Sequence, residues 1–169
     1  GKEVVLNVEM VESVVKLEEV VIKAHVHKDK PLNSMASISA RSFNVEETRR
    51  YAGGMDDPAR LATAFAGVAA GGNNQDNAIV VRGNAPKTVL WRVEGVDIVN
   101  PNHFSGGNVA GGGFTSIISS QMLANSDFFT GAFPAEYGNA LSGVFDIKLR
   151  TGNNEKREGT IQVGMLGLD

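Results

Sequence analysis

The chain has 169 residues, which suits one domain of ordinary size. Its net charge of −3, and the absence of Lys and Arg between Arg92 and Lys148, argue against a surface for nucleic acid or anionic lipid. The sequence has no cysteine, which excludes disulfides, thiolate nucleophiles and cysteine-based zinc sites.

The first 34 residues divide into a strand and a charged linker. Residues 3–11 alternate between apolar and polar side chains, so we predict a half-buried strand and interpret residues 1–12 as the last strand of an upstream domain. Residues 13–34 predict a linker, in which the apolar residues 20–22 follow Glu18 and Glu19. This island fits strand addition to the sheet edge of another protein, or else an edge strand of its own domain or a tether.

Two short helices are predicted next, after a possible strand over residues 35–40. Asn44 or Ser42 fits an N-cap for a helix over residues 45–51. Asp57 followed by Pro58 predicts the start of a second helix that runs to Phe65. Its apolar face would consist of Leu61, Ala64, Phe65 and Val68.

Residues 79–104 contain two short apolar runs with charged residues at their ends. Two apolar runs, 79–81 and 89–93, flank a turn-like segment at residues 84–86 and predict a β-hairpin. Four charged residues lie at the ends of these runs, and they are Arg82, Arg92, Glu94 and Asp97. We expect an ion-pair and hydrogen-bond network that fixes the hairpin, since buried charges need partners. Acid–base catalysis by paired carboxylates is the alternative interpretation.

The second half predicts further strands separated by glycine-rich loops. Residues 123–130, 143–149 and 160–168 have strand patterns, whereas residues 106–113 contain too many glycines for a helix. We therefore predict an α+β fold: a small mixed β-sheet domain over residues 35–152, with short helices and long glycine-rich loops.

No catalytic or cofactor motif occurs in this pattern. Residues 111–113 lack the Lys-Ser/Thr of a phosphate loop, and Ser142 lacks the glycine two residues before it that a nucleophile elbow needs. His103 has no evident nucleophile or carboxylate partner and fits a loop-fixing role better than that of a general base. We expect neither an enzyme nor a cofactor or metal site.

Two stretches of this sequence resemble the plug domain of TonB-dependent outer-membrane receptors. In that family an apolar strand ends in Arg-Gly, as at Arg82-Gly83, and a second strand ends in Asp-Gly, where this chain has Glu94-Gly95. Residues 127–153 are similar to the closing signature of the plug at Gly131, Tyr137, Gly138, Ser142, Gly143 and Val144. Ahead of both, residues 17–24 resemble a TonB box.

The resemblance implies a gate inside an outer-membrane β-barrel. Residues 35–152 would be the plug of an active transporter for an unknown small substrate, and residues 159–169 the first barrel strand. A carboxypeptidase-regulatory-like domain would lie upstream, as in Bacteroidetes-type receptors, and the N-terminal segment would be periplasmic.

The resemblance also implies roles for particular residues. The periplasmic energy-coupling protein of the TonB type would bind Glu18, Glu19, Val20, Val21, Ile22, Lys23 and Ala24. Arg82, Arg92, Glu94 and Asp97 would form the plug lock. The loops facing the substrate would present Asn84, Lys87, Asn102, His103 and Phe104. The alternative is a secreted or periplasmic interaction module without a barrel, in which residues 160–168 form a central strand of its own sheet.

Overall fold

A computed structural model describes residues 1–5, 30–36, 38–72, 75–105, 109–161, 163–164 and 167–168. The TonB-box-like segment, residues 18–24, lies outside the described residues, as does most of the strand predicted over residues 3–11. The described part of that strand, residues 3–5, is exposed and has no strand structure.

A five-stranded mixed sheet forms the centre of the domain. Its strands are β1 (Ala40–Phe43), β4 (Val89–Val93), β5 (Val96–Ile98), β8 (Ser126–Phe129) and β9 (Gly143–Ile147). Their order is β1-β8-β9-β4-β5, in which β4 and β9 run parallel and the other neighbours run antiparallel. This sheet and the few short helices confirm the predicted α+β fold.

Three two-stranded pairs complete the described strands. The strands β2 (Val68–Ala70) and β3 (Ile79–Val81) pair with each other, as do β6 (Asn102–His103) and β7 (Thr115–Ser116). The last pair is β10 (Val163–Gly164) with β11 (Gly167–Leu168). A continuous strand over residues 160–168 was expected, whereas the described residues of this segment form two short strands that pair with each other, and none of these described residues pairs with the central sheet.

Both helices begin at the predicted caps. The helix α1 (Val45–Arg50) has Asn44 as its N-cap, whose side chain accepts a hydrogen bond from the Glu47 N–H, and Ser42 instead belongs to β1. The helix α2 (Pro58–Ala62) follows Asp57, which caps the Ala59 N–H. It is shorter than predicted, and Val68, placed on its apolar face by the sequence, lies in β2 because the chain turns at residues 63–67.

The hairpin predicted between residues 79–81 and 89–93 is wrong. The strand β3 pairs with β2, and β4 pairs with β9 and β5. A 3₁₀-helix at Pro86–Thr88 redirects the chain between β3 and β4. The real hairpin joins β4 to β5 across Glu94 and Gly95, which have φ angles of 49° and 82°. Two successive residues with positive φ make the type I′ geometry that suits a tight hairpin.

The main core lies on one face of the central sheet. It packs aromatic rings from adjacent strands, with Trp91 on Phe145 at 4.2 Å and Phe128 on Phe145 at 4.3 Å between ring centroids. The opposite face has a smaller apolar cluster of Phe129, Tyr137 and Val144. This second cluster leaves part of that face available for polar side chains.

Candidate functional site

A row of polar residues crosses the second face of the central sheet. In the strand register, Ser42 lies opposite Asp127, Asp127 opposite Asp146, Asp146 opposite Arg92, and Arg92 opposite Asp97. One row thus takes one residue from each of the five strands. Side chains in register on adjacent strands point to the same face, so three carboxylates and one guanidinium are brought into line.

Arg92 is the centre of the charge pairing in this row. Its Nε atom donates to the Asp97 carboxylate at 2.8 Å, and its Nη1 atom lies 3.3 Å from the Glu136 carboxylate. Its guanidinium also packs over the Tyr137 ring, 4.6 Å from the ring centroid. The hydrogen bond to Asp97 raises the pKa of Arg92, so this charge is permanent. Of the four residues predicted to form a network, Arg92 and Asp97 are thus in direct contact.

Tyr137 links Arg92 to the next carboxylate of the row. Its hydroxyl donates to Asp146 Oδ2 at 2.9 Å. Burial, together with the charges of Asp146 and Glu136, raises the pKa of Tyr137 to about 12. The phenol therefore stays protonated and acts as a hydrogen-bond donor. Lys148 balances the other oxygen of Asp146 from 3.6 Å.

Asp127 connects the row to the segment that enters the domain. The backbone N–H groups of Leu32 and Asn33 each donate to one oxygen of this carboxylate at 2.9 Å. Burial raises the pKa of Asp127, and nearby Asp146 adds to this, whereas the two N–H groups oppose it. A cleft of about 300 Å³ lies here, lined by charged residues and by the entering segment.

The contacts of Asp127 with the entering segment were not predicted from the sequence. Asn33 fell within the predicted linker and Asp127 within the strand predicted over residues 123–130, so neither gave a signal of contact. The alternation in β9 did place Asp146 and Lys148 on one face, and Tyr137 was part of the family signature. Those two observations were the sequence features from which part of the polar row could have been predicted.

The other two residues of the predicted lock lie elsewhere. Arg82 is exposed, and its guanidinium donates to Ser39 Oγ at 3.1 Å and packs against Gly131. The exposed Glu94 carboxylate accepts a hydrogen bond from the Leu149 N–H at 2.6 Å. The four predicted residues therefore form one pair and two separate contacts.

The predicted substrate-facing loops meet each other at Gly111. This residue has a φ of 95°, and a Cβ there would lie 2.5 Å from the Lys87 backbone nitrogen. Asn84, Lys87, His103 and Phe104 are exposed, as expected of loop residues. Asn102 is different, because its side chain is buried.

Asn102 belongs to a buried polar cluster around Asn77. The Asn77 Nδ2 atom donates to Asp57 Oδ2 and to Asn102 Oδ1, both at 2.6 Å, and its Oδ1 atom accepts from the Gly113 N–H at 2.9 Å. This Asn77 cluster ties the cap of α2 to β6 and to the glycine-rich segment. It fixes the base of the loops and does not face outward.

The described ranges contain no cluster of three or more His, Asp or Glu residues arranged to hold a metal ion. Among the same residues, no helix is both long enough and apolar enough to cross a membrane.

One comparison with known proteins gives a match that bears on the fold. The chain resembles a solved structure, the outer membrane transporter YddB from Escherichia coli, with a TM-score of 0.51 and 19% sequence identity. The match covers 68% of this chain and 17% of the transporter chain, so the chain corresponds to a small part of that protein. No family model matches the sequence, and no curated protein matches it. At this identity the likeness concerns the fold alone, and it relates this chain to a part of that transporter's fold.

Proposed function

We propose that residues 35–152 are the plug of an outer-membrane active transporter, which closes the lumen of a β-barrel. In this proposal a TonB-type energy-coupling protein binds residues 18–24 and pulls on them, and the plug then rearranges to let a small substrate pass. The role is one of gating and involves no catalysis. The resemblance of the fold to part of an outer membrane transporter is the observation that carries the proposal.

The polar row supports a gating role on physical grounds. Arg92 is held by two carboxylates and an aromatic ring, and these contacts lie at or near the surface of the sheet. Ion pairs in such partly exposed positions are weak individually, and water replaces them at little cost. A plug against a wet barrel wall needs contacts of this kind, because they hold one arrangement without preventing another.

Lumen closure can be tested in the receptor that contains this chain. Deletion of residues 35–152 should make cells sensitive to vancomycin, which is too large to cross an intact outer membrane readily. Replacement of residues 18–24 by a glycine–serine segment of equal length serves as the matched control and should leave resistance unchanged. Equal resistance of all three strains, with equal amounts of receptor in the outer membrane, would exclude lumen closure.

Energy coupling needs a separate experiment. A photo-crosslinking amino acid at Val21 should capture the TonB-type protein, whereas the same group at the exposed Asn154 should not. The seven-residue replacement should abolish substrate uptake while the receptor is still made. Unchanged uptake would show that residues 18–24 do not couple the transporter to energy.

The self-pairing of β10 and β11 gives the interaction-module alternative no support, because that alternative requires residues 160–168 inside the central sheet. The vancomycin experiment also separates the two functions, since a module without a barrel would not alter permeability.

A further inference from the structure

The entering chain is attached to the central sheet through Asp127 before its first strand begins. Two consecutive backbone N–H groups, those of Leu32 and Asn33, donate to the two oxygens of this one carboxylate, at 2.9 Å each. Asp127 lies in β8, the second strand of the sheet order, and is almost fully buried. Hydrogen bonds to an ionised carboxylate are shorter and about twice as strong as neutral ones.

A second attachment uses the Asn33 side chain. Its Nδ2 atom donates to Glu136 Oε1 at 2.6 Å and lies 3.3 Å from the Tyr137 hydroxyl. Its Oδ1 atom accepts from the Met35 N–H, which shapes the turn that follows. Asn33 therefore contacts both Asp127 and the residue that pairs with Arg92, so the entering chain is joined directly to the polar row.

The stretch between this attachment and β1 is held at its end, where the Ser39 carbonyl accepts a hydrogen bond from the Thr130 N–H at 2.8 Å, whereas two large side chains before that point are exposed. Met35 and Ile38 are 70% and 65% exposed, although both are large apolar residues. The regular pairing of β1 with β8 begins only at Ala40. A displacement of the chain before residue 30 therefore meets the contacts of Leu32 and Asn33 first, and those of β1 afterwards.

We propose that Asn33, Asp127 and Glu136 form an entry clasp, whose opening is a local event separate from the loss of β1. The clasp would decide whether movement of the N-terminal segment reaches the sheet. That consequence depends on the proposed function, whereas the separate opening of the clasp does not.

Amide hydrogen exchange of the 169-residue chain, followed by NMR, tests the clasp residue by residue. In Asp127→Asn, one oxygen becomes an amide donor that faces a backbone N–H. The Leu32 and Asn33 amides should therefore exchange roughly tenfold faster or more, as expected when hydrogen bonds to a charged group are lost. The amides of β1 should keep their protection.

Asp146→Asn is the matched control. It removes the same charge from the same cleft and from the cross-strand partner of Asp127, yet the Leu32 and Asn33 amides donate to Asp127, and Asp146 is linked to the Asn33 side chain only through the Tyr137 hydroxyl among the described contacts. It should leave the exchange of those two amides within about twofold of the unaltered chain. An equal acceleration in both variants would mean that cleft charge, and not the clasp, protects the amides.

Asn33→Ala provides a second variant in case Asp127→Asn does not fold. The Asn33 side chain is partly exposed, so its removal spares the core, and the exchange of the Leu32 amide should still rise several-fold. The clasp proposal is contradicted if neither variant accelerates the exchange of the Leu32 amide. It is also contradicted if the β1 amides lose protection by the same factor as the Leu32 amide. Such a result would leave the vancomycin experiment unaffected, so failure of the clasp and failure of the transport proposal can be told apart.

Discussion

The rings of Trp91 and Phe145 stack in parallel, with 4.2 Å between their centroids and 5° between their planes. They join β4 to β9, the parallel pair at the middle of the sheet. Both rings are buried, so this contact connects the predicted signature around residue 91 with the closing signature around residue 145.

Phe145→Ala should lower the free energy of unfolding by about 3–5 kcal/mol, because it removes a ring that touches aromatic neighbours on three strands. Urea denaturation followed by the fluorescence of Trp91, the single tryptophan, measures the change. Phe104→Ala is the matched control, and since Phe104 is 84% exposed it should change stability by less than about 0.5 kcal/mol. Similar losses in both variants would contradict the assigned core.

Gly95→Ala should destabilise the chain by about 1–2 kcal/mol because φ is 82° at this position. The cost is conformational and not steric, since no atom lies within 4 Å of the added Cβ. Gly138→Ala adds the same methyl group in equally open space without a positive φ, so it should have almost no effect. Equal denaturation midpoints for the two variants would rule out the turn geometry at Glu94-Gly95.

Asn77→Ala should cost roughly 2–4 kcal/mol, because the Asp57 carboxylate and the Gly113 N–H both lose a partner in a buried site. Asn84→Ala is the control, since Asn84 is exposed and its side chain donates only to the nearby Val81 carbonyl among the described contacts. It should cost less than about 1 kcal/mol. Thermal unfolding of the two variants gives the comparison. A loss of stability in Asn77→Ala no larger than that in Asn84→Ala would contradict the connecting role of the Asn77 cluster.

The Asn77 cluster also predicts a pH dependence of stability. Burial raises the pKa of Asp57 from 3.8, and this outweighs the hydrogen bonds from Asn77 and Ala59 that act in the opposite direction. A raised pKa means that the folded chain binds the proton more tightly than the unfolded chain. The contribution of Asp57 to stability is therefore fully present below pH 3.8 and is lost as the pH rises through the folded pKa.

Asp57→Asn removes this titration. The unfolding free energy of the unaltered chain minus that of Asp57→Asn should accordingly fall as the pH rises from 3.5 to neutrality. Urea denaturation at several pH values measures this difference. A difference that stays constant or increases with pH would show that Asp57 is not destabilised by burial.

Local signals in the sequence were sufficient for the helix starts. Asn44 and Asp57 cap helices through atoms two or three residues away, and such contacts depend only on nearby residue types. The alternation in β9 and the mixed α+β composition were equally readable. Arg92 and Asp97 lie across a two-residue turn, and the sequence placed them in one group of four charged residues without pairing them.

Long-range pairing had no such signal. The Arg82-Gly83 turn has the same positive φ angles as Glu94-Gly95, yet the first does not join β3 to β4 and the second does join β4 to β5. The partner of β4 on its other side is β9, which comes much later in the chain. Asn33 and Asp127, in the same way, are far apart in sequence, and their meeting depends on the order of strands in the sheet.

The sheet order has one more consequence. Because β1 lies at one end of the order β1-β8-β9-β4-β5, its departure would break a single strand pairing and expose Phe43, and would leave a four-stranded template in which Trp91 still stacks on Phe145. The vacated edge of β8 retains the hydrogen-bonding pattern that specifies where β1 returns. Such an edge position would allow the first strand to leave and return while the other four strands stay paired.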